Sequence, residues 1–400
     1  MATIVASMEY LVTEILLRLP VKSVLKFKCV SKQWFALISD PKFCHSHTLR
    51  LYRTSQLFPS ALLLAPVDSS TCQIISLKSI NASDSSKFRN VKVPMGTVIQ
   101  SCNGLLLIER ISSEDFSEVD YFISNPTTNK SVPVIFPTQQ FSSSVLSLFI
   151  CFEPMKSLHY KLVSIRVKNY ISFSDMSDIV IPTNIIDTEY VINVYSSETS
   201  SWSEPGFTFT CHGYKPPIRT NTVYFNGSLY WHNDGLRKFY YFDLDSQILK
   251  TCPTPLNMDD NGISKFCESG GHLYFVHKPV SEFMLYIMEL KEESSEWALR
   301  FHLKLRESRF QLLLCFPYCV VKQENDEESM LLNCLNEKVL FYNLGDAKFR
   351  DLNTHCPFLV IESCSLVYQY HENLSCIAPT QKICKLQVLF CFHIFCCYAN

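Results

Sequence analysis

The chain has 400 residues, 47% of them hydrophobic and 18% charged, which excludes a disordered protein and supplies a sizeable core. A formal net charge of −2 gives no global drive toward nucleic acid or an anionic membrane surface. No run approaches the ~20 apolar residues of a membrane span, and Met1-Ala-Thr-Ile-Val-Ala6 lacks a charged n-region, so the 18 cysteines are expected as reduced, mostly buried thiols of an intracellular protein, in cytoplasm or nucleus.

The first segment has a helical period. Leu11, Ile15 and Leu19 recur every four residues with Leu16 beside them, giving one apolar face that Pro20 ends. Val24, Leu25 and Phe27 to Val30 form a second face. Ser31 is placed to N-cap a third helix carrying Trp34, Leu37 and Ile38, which Asp40-Pro41 stops. Three short helices of about 40 residues make a core too small to stand alone, so the module docks either on another protein or on the rest of its own chain. Residues 9–50 are locally basic, which suits an acidic protein partner or a solvated helix face. Residues 8–50 are expected to form this module, and 51–60 a connector.

Beyond residue 60 the period becomes 2. Ala61 to Ala65, Gln73 to Leu77, Val91 to Val98 and Leu105 to Ile108 read as strands, and strand-like runs continue to about residue 378. Two signals repeat. Cys102-Asn-Gly-Leu105, Phe225-Asn-Gly-Ser228 and Ser269-Gly-Gly-His272 predict two-residue hairpins, whose glycines at 104, 227 and 271 are spaced by 123 and 44, the first gap near three times a 41-residue unit. Tyr195, Asp243, Glu289 and Asn343 end strands in polar turns, spaced by 48, 46 and 54. A period near 45–50 predicts four-stranded blades, about six of them over residues 61–379, with an irregular pair of β-sandwiches as the alternative. Residues 380–400 lose their turn residues and crowd Cys384, Cys391, Cys396 and Cys397 into an apolar tail, read as atypical or as a closing strand.

Catalytic chemistry has no motif here: no G-x-S-x-G elbow, P-loop, dinucleotide fingerprint or H-E-x-x-H. Cys315 and Cys319, and Cys44-His45-Ser-His47, lack a second pair at zinc spacing, so no metal and no cofactor are expected. Asp243 and Asp245 read as turn residues, and His212, His232, His272 and His277 as strand-end or core histidines.

Leu17-Arg-Leu-Pro-Val-Lys-Ser-Val-Leu-Lys-Phe-Lys-Cys-Val-Ser-Lys-Gln-Trp34 with Leu37-Ile-Ser-Asp-Pro-Lys-Phe43 resembles the F-box of plant F-box proteins. Asn103-Gly-Leu-Leu-Leu107, Ser124-Asn-Pro-Thr-Thr-Asn129, Phe152 to Val163, Tyr195 to Trp202 and Val223 to Trp231 resemble the F-box-associated, kelch-like domain that comes after it in that family. The resemblance implies a mainly β protein with a small N-terminal α module: a three-helix F-box, then a kelch-like β-propeller. It implies the substrate-recognition subunit of an SCF-type ubiquitin ligase, non-catalytic, whose partners are a Skp-type adaptor, a cullin scaffold and an unknown protein target.

By resemblance Leu11, Ile15, Leu16, Leu19, Pro20, Leu25, Cys29, Val30 and Trp34 fill the apolar motif positions that bind the adaptor or hold the helices together, and the motif does not separate the two roles. The family opens with Leu-Pro-x-Asp where this chain has Ser7-Met-Glu-Tyr10, which implies a frayed first helix and weaker docking. Two alternatives stay open: a propeller enzyme or carbohydrate-binding protein with a helical cap, and a degenerate family member.

Overall fold

Helices occupy the N-terminal stretch and strands the larger C-terminal part, as the change of period requires. The computed structural model describes residues 2–55, 58–77, 88–111, 119–138, 141, 145–168, 187–203, 206–212, 222–233, 238–255, 262–279, 284–291, 296–304, 316–322, 328–334, 338–345, 348–351 and 366–377. The Asn81–Ser86 turn, Asp259-Asp260, most of the charged stretch 323–328 and the 380–400 tail lie outside these residues.

The helices are α1 (Ala2–Leu17), α2 (Val21–Phe27), α3 (Lys32–Ser39) and α4 (Pro41–Ser55). Two expectations need correction. The missing Leu-Pro opening does not fray α1. Without a proline at that position nothing blocks an upstream turn, and the helix runs back to Ala2. The module has four helices rather than three, and the start of the expected connector belongs to α4. Asp40-Pro41 ends α3 and also starts α4. The Asp40 carboxylate accepts from the N–H of Lys42 (2.8 Å) and Phe43 (3.2 Å), and Pro41 takes the first helical position, where a missing N–H costs nothing. Ser31 caps α3 as expected, accepting from Trp34 N at 3.1 Å.

β1 (Ala61–Ala65), β2 (Ser69–Ser76) and β3 (Phe88–Cys102) run antiparallel. β3 belongs to two blades: up to Gly96 it pairs β2, and from Thr97 it pairs β4 (Leu105–Ile111). Gly96 has φ 145°, and a Cβ there would lie 2.4 Å from the Glu109 carbonyl, so this crossing requires glycine. β5 (Val119–Asn125) and β6 (Lys130–Pro133) complete the second blade. The third contains β7 (Val145–Cys151), β8 (Lys161–Val167) and β9 (Asp187–Ser196), with β10 (Ser201–Trp202) and β11 (Phe207–His212) both on β9. The fourth is β12 (Thr222–Phe225), β13 (Ser228–Asn233), β14 (Lys238–Asp243) and β15 (Ile248–Cys252). The fifth is β16 (Gly262–Ser269), β17 (His272–Pro279), β18 (Met284–Lys291) and β19 (Glu296–Lys304). The sixth is β20 (Phe316–Lys322), β21 (Glu328–Cys334), β22 (Lys338–Asn343) and β23 (Lys348–Asp351).

β24 (Leu366–Tyr370) closes the ring. It pairs β1 from Ala61↔Tyr370 to Ala65↔Leu366, giving the first blade its inner strand from the far end of the chain. Inner strands touch around a central channel: β24 meets β3 and β20, β3 meets β7, and β16 meets β12 and β20. The described residues thus form a six-bladed β-propeller. One spacing is corrected. Gly104 to Gly227 spans two blades, not three units, because the third blade joins its first two strands through Phe152–Tyr160 instead of an Asn-Gly turn.

Adjacent blades share apolar cores. Phe239, Phe266 and Phe275 meet at 4.5 to 5.1 Å between the fourth and fifth blades, with Trp297 at their edge. Such offset and edge-on contacts are the favoured aromatic geometries.

Candidate functional site

α1 is amphipathic in an unusual sense: both its faces are apolar. Leu16 is 1% exposed and packs with Val21, Val24, Ile38, Phe43 and Cys44, with Val12 and Leu17 against that cluster. On the opposite side Met8, Leu11 and Ile15 form an i, i+3, i+7 stripe and are 62%, 57% and 60% exposed. Tyr10 stands beside them, and Val30, past the end of α2, is also exposed.

The structure therefore separates what the motif could not. Leu16 is core. Leu19, Leu25 and Trp34 are half-buried supports packed against that core. Trp34 meets the Phe27 ring edge-on at 5.4 Å, and the Leu19 carbonyl accepts from the buried His47 ring at 2.9 Å. Burial holds His47 below its usual pKa, so the ring is a neutral donor. Pro20 is exposed and shapes the backbone: its carbonyl starts α2 by accepting from Ser23 N (2.9 Å) and Val24 N (3.1 Å). Leu11, Ile15, Cys29 and Val30 present their side chains to solvent. Met8 and Tyr10 belong with them. The sequence reading passes over them because Ser7-Met-Glu-Tyr10 differs from the family's Leu-Pro-x-Asp opening, although the i, i+3, i+7 spacing is there to find.

A strap, residues 371–377 after β24, joins the helical module to the propeller. Leu374 enters the helical core and Ile377 enters the core between the second and third blades. Between them the buried Asn373 donates to the Asn103 carbonyl at 2.7 Å and accepts from Ser375 N at 3.0 Å. Asn125 donates to the Ser375 carbonyl at 2.9 Å. Gly104 sits under the strap at φ 86°, and a Cβ there would lie 2.3 Å from both the Asn373 side chain and the His371 carbonyl. Tyr52 of α4 stacks on His371 (5.4 Å, 17°) and donates to Asn103 Oδ1 at 3.3 Å. Burial lowers His371 to a pKa of about 4, so this ring is neutral. Glu372 pairs with Arg89 of β3 and with Lys22 of α2, the latter at 3.8 Å.

These contacts fix which propeller face the helices occupy. Within a blade the first-to-second and third-to-fourth turns lie at the same end. Asn103-Gly104 and Gly270, which meets Phe58, are first-to-second turns. Asn125 opens a third-to-fourth turn, its Oδ1 accepting from Thr127 N at 3.0 Å. Asp243 and Asn343 do the same at their turns, accepting from Asp245 N (3.0 Å) and Gly345 N (2.8 Å). At Asp243 and Asn343 the repeated polar phase of the sequence is thus an Asx turn on the face that meets the helices, whereas Glu289 lies within β18, opposite Ala298.

The channel encloses a cavity of about 320 Å³ lined by residues including Gln100, Tyr224, Lys265, Glu268 and Tyr368. Enclosure raises the Glu268 carboxyl to a pKa of about 7, although it accepts from Gly271 N at 3.1 Å. Elsewhere Glu289, His272 and Lys322 form a chain. His272 Nδ1 meets Glu289 Oε1 at 2.7 Å, and Lys322 Nζ donates to His272 Nε2 at 2.9 Å. Lys322 occupies the ring nitrogen that a nucleophile would need, so the chain ties the fifth blade to the sixth. His232 and His277 are buried core histidines, as expected. Among the described residues no group of three or more His, Cys, Asp or Glu is placed to hold a metal ion, and no helix is long and apolar enough to cross a membrane.

Comparison with known proteins adds the family. Residues 9–46 match the F-box domain, and residues 65–385 match the family described as F-box protein At3g26010-like, beta-propeller. F-box protein At5g07610 of Arabidopsis thaliana is 28% identical over 398 residues, covering 89% of this chain and 87% of that protein. F-box only protein 8 of the same plant is 29% identical over 264 residues, covering 62% of this chain and 80% of its own. Its putative F-box/kelch-repeat protein At3g17280 is 25% identical over 244 residues, covering 59% and 55%. The four-helix module with its outward apolar stripe, the ring of six blades and a family match over most of the chain agree: this is an F-box protein of the At3g26010-like β-propeller family.

Proposed function

We propose that this chain is the target-recognition subunit of an SCF-type ubiquitin ligase, docking on a Skp-type adaptor that links it to a cullin, in the cytoplasm or nucleus. The observation that carries the reading is the stripe of Met8, Leu11 and Ile15, with the exposed Val30 on the same module: large apolar side chains left in solvent on the side away from the packed core. Leu11, Ile15, Cys29 and Val30 are the adaptor contacts in this reading. Leu16, Leu19, Leu25 and Trp34 support them, and Pro20 sets the bend between α1 and α2. The propeller, which we read as the kelch-like type, holds the protein target on the face turned away from the helices. Support comes from the occupied face, where Tyr52, Phe58 and the strap cover the turns. The chain supplies orientation and local concentration to a transfer that other subunits catalyse.

The test is capture of a plant Skp-type adaptor by the full chain, with Leu11→Asp, Ile15→Asp and a control, Ile135→Asp, at a site 76% exposed on the propeller. Loss of capture in the first two alone supports the reading. No capture by the folded wild type, or equal capture by all variants, sinks it.

A further inference from the structure

The channel of the propeller ends beneath the helical module. Its cavity of about 320 Å³ is walled by residues of β3, β7, β12, β16 and β24 and by His371 of the strap, against which Tyr52 of α4 stacks. That volume lies at the low end of the ~300–1,000 Å³ found for small-molecule sites. β3 and β16 both run toward the helices, so Asn103, Glu268 and His371 mark the covered end.

One group in this wall stands out. Glu268 is half-buried, and it lines the cavity. Its main chain is fixed: Gln369 Nε2 donates to the Glu268 carbonyl at 2.7 Å, and Ser269 Oγ donates to Gln369 Oε1 at 2.8 Å. One oxygen of its carboxyl group accepts from Gly271 N at 3.1 Å. The other has no partner among the described residues, and no lysine, arginine or histidine pairs with it. Other half-buried or buried carboxylates of the fold have a cation: Glu153 meets Lys156 at 3.1 Å, Glu289 meets Lys291 at 2.8 Å, and Glu372 meets Arg89. Beside Glu268 the wall offers aromatic surface. Tyr224 and Tyr368 are half-buried, and their hydroxyls are tied down, donating to Glu153 Oε2 at 3.1 Å and to the Val98 carbonyl at 2.7 Å. Lys265 also lines the cavity and has contacts of its own.

We propose that this cavity binds a small organic cation, a primary amine with an apolar body, whose ammonium group pairs with Glu268 and whose body lies against the Tyr224 and Tyr368 rings.

The chemistry of the wall selects this class. A carboxylate held away from water and without a counter-charge is costly, and an ammonium group supplies both the charge and up to three donors. Aromatic faces attract a cation through their quadrupole and cover hydrocarbon as well. An anion would meet Glu268 as a like charge. A neutral alcohol could donate to the unpaired oxygen but would leave the charge uncompensated. Enclosure holds Glu268 at a pKa of about 7, which adds a proton to the equilibrium. The ammonium favours the ionised carboxylate, so below pH 7 binding must expel a proton and weakens, while above pH 7 it levels off. The covered end of the cavity is built from the strap and Tyr52, so an occupant also stiffens the joint that carries the F-box. The site does not depend on which partner the Leu11–Ile15 face binds.

The experiment titrates the full chain with phenethylamine by isothermal calorimetry, beside 2-phenylethanol and phenylacetate, which carry a neutral hydroxyl and an anion on nearly the same body. Phenethylamine is expected to bind at pH 8 about tenfold tighter than the alcohol or more, with no binding of phenylacetate. Its affinity falls about tenfold between pH 8 and pH 6. Glu268→Gln keeps an acceptor for Gly271 N but loses the charge, so it loses both the preference for the amine and the pH dependence. The amine raises the melting temperature of the wild type and not that of Glu268→Gln. Ile135→Asp, on the exposed edge of the propeller, binds as the wild type does. Binding of none of the three compounds at millimolar concentration overturns the proposal. So does equal affinity for amine and alcohol, preference for phenylacetate, or unchanged amine binding by folded Glu268→Gln.

Discussion

The F-box and the propeller spend their apolar side chains differently. In the propeller ring closure leaves every inner strand paired, and among the described residues its exposed large apolar side chains (Val67, Met95, Ile111, Ile135, Met155, Ile248, Leu299) are spread over the first five blades rather than gathered on one element. In the F-box one helix carries apolar residues on two faces. One face fills a small core that even borrows Leu374 from the strap, and the other stays exposed among the described residues. A module that cannot complete itself, placed beside one that can, is the physical basis for reading the first as the docking element and the second as the scaffold.

The most damaging change to this contrast is to open the ring. A chain ending at residue 365 lacks β24 and the strap, so the first blade loses its inner strand and the F-box core loses Leu374. It is expected to lose its cooperative thermal transition, monitored by circular dichroism and limited proteolysis. A native-like melt would show that β24 is dispensable. Next is Tyr370→Ala. Tyr370 is fully buried and its hydroxyl meets Thr127 at 2.6 Å, so the cost is about 3–5 kcal/mol in denaturant unfolding. A loss under about 1 kcal/mol would mean that this seam is not closely packed.

The contrast sharpens within one helix. Leu16→Asp places a charge in the F-box core and should destabilise it by about 3 kcal/mol or more. Ile15→Asp, one residue away, should leave stability within about 0.5 kcal/mol while abolishing adaptor capture. Equal effects of the two on stability would erase the two-face reading. Asn373→Ala, which removes the donor to the Asn103 carbonyl and the acceptor of the Ser375 N–H, should cost about 1–3 kcal/mol and raise protease sensitivity at the strap.

An effect that shows only with pH is in the channel. Glu268 has its folded pKa raised from 4.5 to about 7, so the fold favours its neutral form. The stability tied to this group is full below about pH 4.5 and falls as pH rises through about 7. Glu268→Gln should therefore match wild type at pH 4 and exceed it at pH 8 by on the order of 1–3 kcal/mol in urea midpoints. His371 acts oppositely. Its folded pKa of about 4 lies below the usual 6.5, so its contribution is full above pH 6.5 and lost as pH falls through 4. Identical pH profiles for wild type and Glu268→Gln would remove Glu268 from this account.

Much of the molecule was legible in the sequence because its signals are local. The Asn-Gly and Gly-Gly turns need positive φ, and the structure shows it at Asn103-Gly104, Asn226-Gly227 and Gly270-Gly271. The 3.6 and 2 periods placed helices before strands, and the polar strand ends, spaced near 45–50, gave the blade count. Asp40-Pro41 signals both a stop and a start, so α4 remained hidden. The third blade's long first connection hid the true meaning of the 123-residue gap.

Local sequence alone settles where helices give way to strands, the Asn-Gly and Gly-Gly turns and the approximate number of blades, since backbone sterics and side-chain period act within a few residues. Packing between distant segments was needed to tell which motif residues are core and which are surface. Leu16 and Ile15 are adjacent, both apolar and both in the motif. They differ only in which way the helix turns toward Val24, Ile38 and the distant Leu374. The joint was likewise invisible beforehand, because Asn103, Asn125 and Asn373 become neighbours only when the last strand returns to pair the first.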